Sequence, residues 1–212
     1  MKSVNKRELF LGISLVIAFA VWTALVKVVD LQAIGPCGSS VGFAGLNGWV
    51  HSVTGANMSL YIITDWLGLV PFAVAFGFAV LGLVQWISRK SISRVDRSIL
   101  VLGGFYAIVI AVYVLFEMVV INYRPVLISG ILEVSYPSST TMLVTCVMPT
   151  AALQMKERIK NSVFRVSVIA VILAFTVFMV IGRLVSGVHW LTDIIGGLLI
   201  SAGLVLAYDS IK

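Results

Sequence analysis

The feature that most constrains the fold of this sequence is a series of long apolar runs separated by short polar stretches. The runs lie at residues 8–29, 66–88, 98–121, 138–154, 163–182 and 190–209. Most of them approach the roughly 20 residues that an α-helix needs to cross a bilayer. Only 11% of the 212 residues are charged, whereas a soluble domain carries about 25%. We therefore expect an all-α, polytopic membrane bundle of six transmembrane helices, forming a single domain over residues 1–212.

Three of these runs need comment. The first is too long for a signal-peptide core and is expected to be retained as a span. Residues 59–64 are also apolar, which allows an earlier start for the second run; Pro71 would then lie in its first turns or kink it. The fourth is short, but Pro137-Ser138 is typical of a helix start and Gln154 of its polar end.

The basic residues predict the orientation of the bundle. Of the 15 lysines and arginines, 12 lie on one side of the predicted spans, and only Lys27, Arg124 and Arg183 lie on the other. Because positive charge favours the cytoplasmic side, we expect both termini in the cytoplasm. The twelve are Lys2, Lys6, Arg7, Arg89, Lys90, Arg94, Arg97, Lys156, Arg158, Lys160, Arg165 and Lys212.

This arrangement also explains the net charge of +6 without nucleic acid, which is not expected as a partner. On the outer side, residues 30–58 are rich in Gly, Ser and Asn, with apolar residues between them. The segment fits either a helix lying on the membrane surface or an ordered loop. His51, in this segment, is expected to be a solvated loop residue. Cys37 and Cys146 are not expected to form a disulfide.

Three polar motifs stand beside the apolar runs in the last part of the chain. They are Arg124-Pro125, the stretch Pro137-Ser138-Ser139-Thr140, and the stretch from Gly182 to Asp193 that contains Arg183 and His189. Ionisable groups next to a bilayer are costly, so they are candidates for function. All three motifs fall at the predicted outer end of the bundle.

Together these residue types can bind a phosphate group and attack it. Arg124 and Arg183 supply bidentate donors, and the free N–H groups at the start of a helix at Ser138 form an anion site. His189 and Asp193 are four residues apart and share a helix face. The carboxylate could then orient the imidazole, leaving its other nitrogen free as a nucleophile.

These motifs resemble those of the type 2 phosphatidic acid phosphatase superfamily, which includes membrane lipid phosphatases and soluble vanadium haloperoxidases. Its signature is KxxxxxxRP, then PSGH, then SRxxxxxHxxxD. The resemblance runs from about Glu117 to Asp193. It implies that His189 is the nucleophile that becomes a phosphohistidine and that Asp193 orients it. The implied phosphate-binding groups are Arg124, Ser138, Ser139 and Arg183.

The resemblance further implies a phosphatase that needs no metal or other cofactor. Its partner would be a phosphorylated membrane lipid, and its site would face outward from what we expect to be a bacterial plasma membrane.

The sequence departs from this signature at three places. Glu117 occupies the lysine position of the first motif, Ser139-Thr140 replaces Gly-His, and Gly182 replaces the serine before Arg183. The resemblance gives the missing histidine the role of protonating the leaving group, and a threonine cannot do so near neutral pH. Glu117 would repel phosphate unless it were a neutral carboxyl buried between helices or paired with Arg124 or Arg183.

The loss of a general acid favours substrates whose leaving group is already a stable anion. A lipid diphosphate, such as a polyprenyl diphosphate, has such a leaving group, whereas phosphatidic acid would release an alkoxide. A second hypothesis is a catalytically degenerate relative that binds or carries a phosphorylated headgroup. A transporter is not supported, because the sequence has no inverted repeat.

The predicted orientation can be tested with one cysteine. In a background lacking Cys37 and Cys146, Ser129→Cys should react with a thiol reagent that does not cross the membrane, because residues 123–137 are expected outside. The measurement is labelling of intact cells. Labelling by membrane-crossing reagents alone would place this segment in the cytoplasm.

Overall fold

The structure is a computed structural model that describes residues 4–212. Lys2, one of the basic residues used to predict orientation, lies outside the described residues. The described chain is all-helical, with three isolated β-bridges and no strand. Two single turns of 3₁₀-helix lie at Pro36–Gly38 and Ile92–Arg94. The helices are α1 (Lys6–Val28), α2 (Ala44–Thr54), α3 (Met58–Leu67), α4 (Leu69–Arg89), α5 (Arg97–Met118), α6 (Ser139–Arg158), α7 (Ser162–Val185) and α8 (Leu191–Ile211).

Within residues 4–212, five helical segments are long and apolar enough to cross a membrane. They are Lys6–Val28, Met58–Arg89, Arg97–Met118, Ser162–Val185 and Leu191–Ile211. The expected all-helical bundle is confirmed, but α6 is not among the five. Six spans and cytoplasmic termini therefore stay predictions.

The second segment is divided into α3 and α4, which meet at Gly68. Pro71 has no N–H, so it cannot donate to the carbonyl of Leu67, and the helical hydrogen bonding is interrupted at this junction. The apolar segment does begin before residue 66, and of the two alternatives for Pro71 the structure shows it in the first turn of α4. The junction separates α3, at one end of the bundle, from the longer α4.

The polar composition of α6 reflects its place inside the bundle. It contacts α4, α5, α7 and α8, and half of its residues are buried. Buried hydroxyl and amide groups on α6 find partners within the protein: Thr150 donates to the carbonyl of Cys146, and Gln154 donates to the hydroxyl of Tyr208. A helix covered by other helices has less need of an apolar surface than one that faces lipid.

Close packing of α1 on α8 is the most extensive helix contact. It depends on small residues, because Gly12 lies against the backbone of Gly203 and Ala207. A Cβ atom added at Gly12 would lie 2.8 Å from the carbonyl oxygen of Gly203. Small residues at such contacts let two helix backbones approach closely in a membrane protein.

Residues 30–58, which are expected on the outer side, form a loop and then a helix, and a position of that helix on the membrane surface stays a prediction. The first part of this segment is an ordered loop, and the second part is α2, where Trp49 and Val53 are exposed. The expectation for His51 is wrong. It lies on α2, half-buried, with its ring edge-to-face against Trp190 at 5.6 Å between centroids.

The connection between α5 and α6 forms an irregular hairpin. Arg124 donates its N–H to the carbonyl of Glu133, and Ser135 donates to the carbonyl of Asn122. At the tip, Ser129 and Gly130 have φ of 51° and 79°, as in the two-residue turns that suit hairpins. We use "hairpin" below for residues 119–138.

The hairpin, the α2–α3 connection and the α7–α8 connection meet at one end of the bundle. Asn57 donates its N–H to the carbonyl of Ser186, and the indole of Trp190 donates to the carbonyl of Tyr123. The three motifs singled out from the sequence are therefore brought to the same end.

A single methyl group at the α1–α8 contact should destabilise the fold. Gly12→Ala would force two backbones apart, and we expect a loss of about 1–3 kcal/mol in the free energy of unfolding. Unfolding in detergent micelles measures it. Gly77→Ala on α4 is the matched control, since no described atom lies within 4 Å of its added Cβ. Equal stability of the two variants would contradict the packing argument.

Candidate active site

His189 lies in the short connection between α7 and α8 and is buried. Its Nδ1 atom is 3.2 Å from the backbone carbonyl oxygen of Ser135 in the hairpin. A carbonyl can only accept, so Nδ1 carries the proton and Nε2 keeps its lone pair. The hairpin thus fixes both the tautomer and the direction of the ring.

Two arginines reach the free nitrogen of this ring from different elements. Nη1 of Arg124, from the hairpin, is 3.3 Å from Nε2 of His189. Nη2 of Arg183, from the last turn of α7, is 3.2 Å from the same atom. Two guanidinium groups beside one nucleophilic nitrogen are arranged to hold the oxygens of a phosphate placed there.

Helix α3 supports Arg183. Thr64 Oγ1 accepts from Nη1 of Arg183 at 3.5 Å, and the carboxylate of Asp65 lies 3.6 Å from that nitrogen. The ring of Tyr61 lies with its centroid 5.1 Å from the guanidinium carbon of Arg183. These three residues occupy positions i, i+3 and i+4 and therefore share one face of α3.

Arg124 is held within the hairpin and against the same aromatic ring. Its Nε is 2.9 Å from the carboxylate of Glu133. Its guanidinium carbon lies 5.9 Å from the ring centroid of Tyr61. Each arginine therefore has one carboxylate of its own, and the two share one tyrosine.

Asp193 lies close to His189 without a hydrogen bond to its ring, and its role in orienting that ring stays a prediction. Its Oδ2 is 3.7 Å from Nδ1 of His189, beyond hydrogen-bond distance, and the ring donates to Ser135 instead. The carboxylate accepts from the backbone N–H of Trp190 at 3.0 Å and from the amide of Asn122 at 3.2 Å. Asp193 thus joins the start of α8 to the hairpin and places a negative charge near the imidazole.

A small cavity opens beside His189 and Arg124, between α5, the hairpin and the start of α6. Ser139 and Glu117 also line it. Two residues of the second motif therefore line this space: Pro137 and Ser139, the first residue of α6. The remaining residues that line the cavity are Tyr113, Phe116, Val134, Ser135, Tyr136 and Met142.

The other two residues of the second motif point elsewhere. Ser138 is buried and caps α6: its Oγ accepts from the N–H of Thr141 at 3.5 Å, and its own N–H donates to the carbonyl of Asp193. The methyl of Thr140 lies near Gly68, where a Cβ would approach it to 3.4 Å. Neither residue lines the cavity, so their roles toward phosphate stay predictions.

Glu117 is neither buried between helices nor paired with Arg124 or Arg183, the two alternatives expected from the sequence. It is exposed, so the expectation of a buried neutral carboxyl is wrong. The ion pairs between described residues join Arg124 to Glu133 and Arg183 to Asp65, rather than either arginine to Glu117. Glu117 instead lies at the cavity, one helical turn from Tyr113.

The surroundings of His189 favour the uncharged imidazole. Burial lowers the pKa of His189 well below its ordinary value, and the positive charges of Arg124 and Arg183 lower it further. The hydrogen bond to Ser135 opposes this shift only in part. Nε2 is therefore available as a nucleophile near neutral pH.

Within residues 4–212, no group of three or more His, Cys, Asp or Glu side chains could hold a metal ion. The expectation of a metal-independent reaction stays a prediction. The phosphate-binding candidates here are donors, chiefly arginine N–H groups, and they suit an anion.

Residues 118–210 match the family model described as the PAP2 superfamily. The match covers 93 of the 212 residues. The resemblance expected from the sequence is thereby confirmed, and with its apolar helices the chain is an integral membrane protein. Arg124, Ser138, Arg183, His189 and Asp193 all lie within the matched segment.

One solved structure has a similar fold over almost the whole chain. It is the crystal structure of the first transmembrane PAP2 type phosphatidylglycerolphosphate phosphatase from Bacillus subtilis. Its TM-score is 0.53 at 19% identity, and the alignment covers 93% of this chain and 94% of that chain. At this identity the similarity shows the fold alone. No curated protein matches the chain.

Several residues around the site were not identified from the sequence. Tyr61, Thr64 and Asp65 reach it from α3, and Glu133 and Ser135 reach it through the hairpin. The spacing of the α3 residues could have drawn attention to one polar face in an apolar run. The sequence could not have identified Ser135, because it acts through its backbone carbonyl, which every residue has.

The titration of His189 can be measured directly, since the chain has only two histidines. In His51→Asn, labelled-histidine NMR should show His189 uncharged from pH 8 down to 6.5, because its pKa lies below its ordinary value. Saturating inorganic phosphate should raise this pKa, because a bound anion favours the imidazolium. Protonation above pH 6.5 in phosphate-free buffer would contradict the electrostatic account.

Proposed function

We propose that this chain is a membrane lipid phosphatase that removes phosphate from a lipid diphosphate. The favoured substrate class is a polyprenyl diphosphate, and the favoured intermediate is a phosphohistidine at Nε2 of His189. The reaction would take place at the outer face of the membrane, where the distribution of basic residues puts the hairpin and the α7–α8 connection.

The observation that carries this proposal is the arrangement around Nε2 of His189. Nitrogens of Arg124 and Arg183 lie 3.3 Å and 3.2 Å from it. This geometry puts a nucleophile and two phosphate-binding groups within reach of one phosphorus atom. The match of residues 118–210 to the PAP2 superfamily, and a fold shared with a protein named as a phosphatase of a phosphorylated lipid, support the same reaction class.

The first step forms one bond and breaks one. The Nε2 lone pair of His189 attacks phosphorus, and the bond from phosphorus to the leaving oxygen breaks, with its electron pair remaining on that oxygen. The ring, still protonated at Nδ1, gains positive charge. The carbonyl of Ser135 accepts from this N–H, and the carboxylate of Asp193, 3.7 Å away, stabilises the charge.

The second step restores the enzyme. A water molecule attacks phosphorus, the Nε2–phosphorus bond breaks, and its electron pair returns to Nε2. Inorganic phosphate then leaves, carrying the proton lost by the water. The arginines stabilise the equatorial oxygens in both steps, where phosphoryl transfer depends on positive charge.

The choice of a diphosphate rests on position 140. Thr140 replaces the histidine that the family signature gives as the proton donor. A threonine hydroxyl cannot transfer its proton to a leaving group near neutral pH. A lipid diphosphate releases a lipid monophosphate, which is a stable anion, so its departure needs less protonation.

A second candidate function is a degenerate relative that binds or carries a phosphorylated lipid headgroup. Two observations favour it: Thr140 at the acid position, and Glu117 at the lysine position and beside the cavity. The intact set of Arg124, Arg183 and His189 favours catalysis.

The deciding experiment compares phosphate release from lipid diphosphates and monophosphates by the purified protein. We expect turnover of diphosphates to exceed that of monophosphates, and His189→Ala to abolish both. A general acid contributes about 10²–10⁴-fold. Thr140→His should recover part of this factor on monophosphates and less on diphosphates.

The matched control is Thr140→Gln, which adds bulk at the same position without a group that titrates near neutral pH. Equal rates on both substrate classes would contradict the leaving-group argument. Headgroup binding without turnover of either class would support the degenerate relative instead.

A further inference from the structure

Besides His189, whose Nε2 both arginines reach, Tyr61 in the described site also contacts both arginines through a single group. Its ring centroid lies 5.1 Å from the guanidinium carbon of Arg183 and 5.9 Å from that of Arg124. Both distances fall within the roughly 6 Å over which a cation interacts with an aromatic face. Tyr61 belongs to α3, outside the segment that matches the family model.

The two arginines need such a contact, because they carry like charges and converge on one atom. Arg183 is almost completely buried, with its side chain 1% exposed, and its partner Asp65 is 57% exposed. Glu133, the partner of Arg124, is also partly exposed, at 39%. Ion pairs with exposed carboxylates contribute little, because solvent screens them.

An aromatic ring differs from a carboxylate in one respect that matters at a phosphate site. Asp65 and Glu133 attract the arginines, but their negative charges also repel an incoming phosphate. The face of the Tyr61 ring attracts both guanidinium groups without a net charge. It can therefore hold the arginines in place without weakening anion binding.

We propose that Tyr61 is a positioning residue for phosphate binding, and that its ring holds Arg124 and Arg183 together beside Nε2 of His189. The proposal rests on the phosphate site of the proposed function, but not on turnover. The phenol hydroxyl has no part in it. The role matters more in this chain than in the family signature, because Glu117 replaces a cationic lysine and leaves the two arginines as the cationic side chains of the motifs.

The test is binding of inorganic phosphate to the full-length protein in detergent, measured by calorimetry at fixed ionic strength. Tyr61→Phe keeps the ring and should bind phosphate as the unmodified protein does. Tyr61→Leu removes the ring, and we expect its Kd to rise about 5- to 30-fold. Trp66→Leu is the matched control, since it removes an exposed aromatic side chain from the same helix.

A second series keeps the shape of the side chain and so protects against loss of folding. Position 61 is replaced by phenylalanine carrying increasing numbers of ring fluorines, which withdraw electron density from the face. Phosphate affinity should fall step by step along this series. A ring that merely filled space would give the same affinity throughout.

Three outcomes would overturn the proposal: unchanged binding in Tyr61→Leu, equal weakening in Tyr61→Phe and Tyr61→Leu, or constant affinity across the fluorinated series. Absence of phosphate binding by the unmodified protein would also overturn it. Failure of the proposed function has a different signature. The unmodified protein would then bind phosphate with the expected dependence on the ring, yet release none from any lipid.

Discussion

The site depends on bringing two guanidinium groups of like charge to one imidazole nitrogen. Burial lowers the pKa of His189 and this convergence lowers it further, so the nucleophilic nitrogen stays unprotonated. The convergence is also unfavourable by itself, so other elements must compensate for it. Asp65 pairs with Arg183, Glu133 pairs with Arg124, and the ring of Tyr61 contacts both arginines. A bound phosphate would relieve the same repulsion, so the two like charges favour anion binding before any chemistry begins.

Nδ1 of the His189 imidazole forms its hydrogen bond with the backbone of a connection between helices, not with a side chain. Ser135 holds the imidazole through a backbone carbonyl, while Asp193 binds the start of α8 and Asn122 of the hairpin. The carboxylate is therefore one step removed from the ring, although it lies close enough to stabilise a positive charge there. The hairpin also carries Arg124. A movement of this segment would therefore displace a phosphate-binding arginine and, at the same time, the carbonyl that holds His189.

Hydropathy predicted most of the fold because lipid-facing helices must be apolar all round. The apolar signal is weakest at α6, because other helices rather than lipid surround it. Polar groups on α6, such as the amide of Gln154, find partners within the protein. Motif spacing identified Arg124, Arg183 and His189, which the structure brings together. It could not identify Tyr61 or Ser135, because one acts from a distant helix and the other through its backbone. Contacts of this kind are set by tertiary packing and leave no local pattern.

Gly182 shows how a departure from the family signature can be matched elsewhere in the fold. The signature has serine before the arginine of its third motif, whereas a Cβ at position 182 would lie 2.8 Å from the methyl of Thr64. A serine there would push α3 away from α7 unless that methyl could move. The glycine therefore permits the close approach that lets Thr64 accept from Arg183 and sets Tyr61 against both arginines. The glycine lacks the hydroxyl of the family signature, but it lets α3 pack closely against the site.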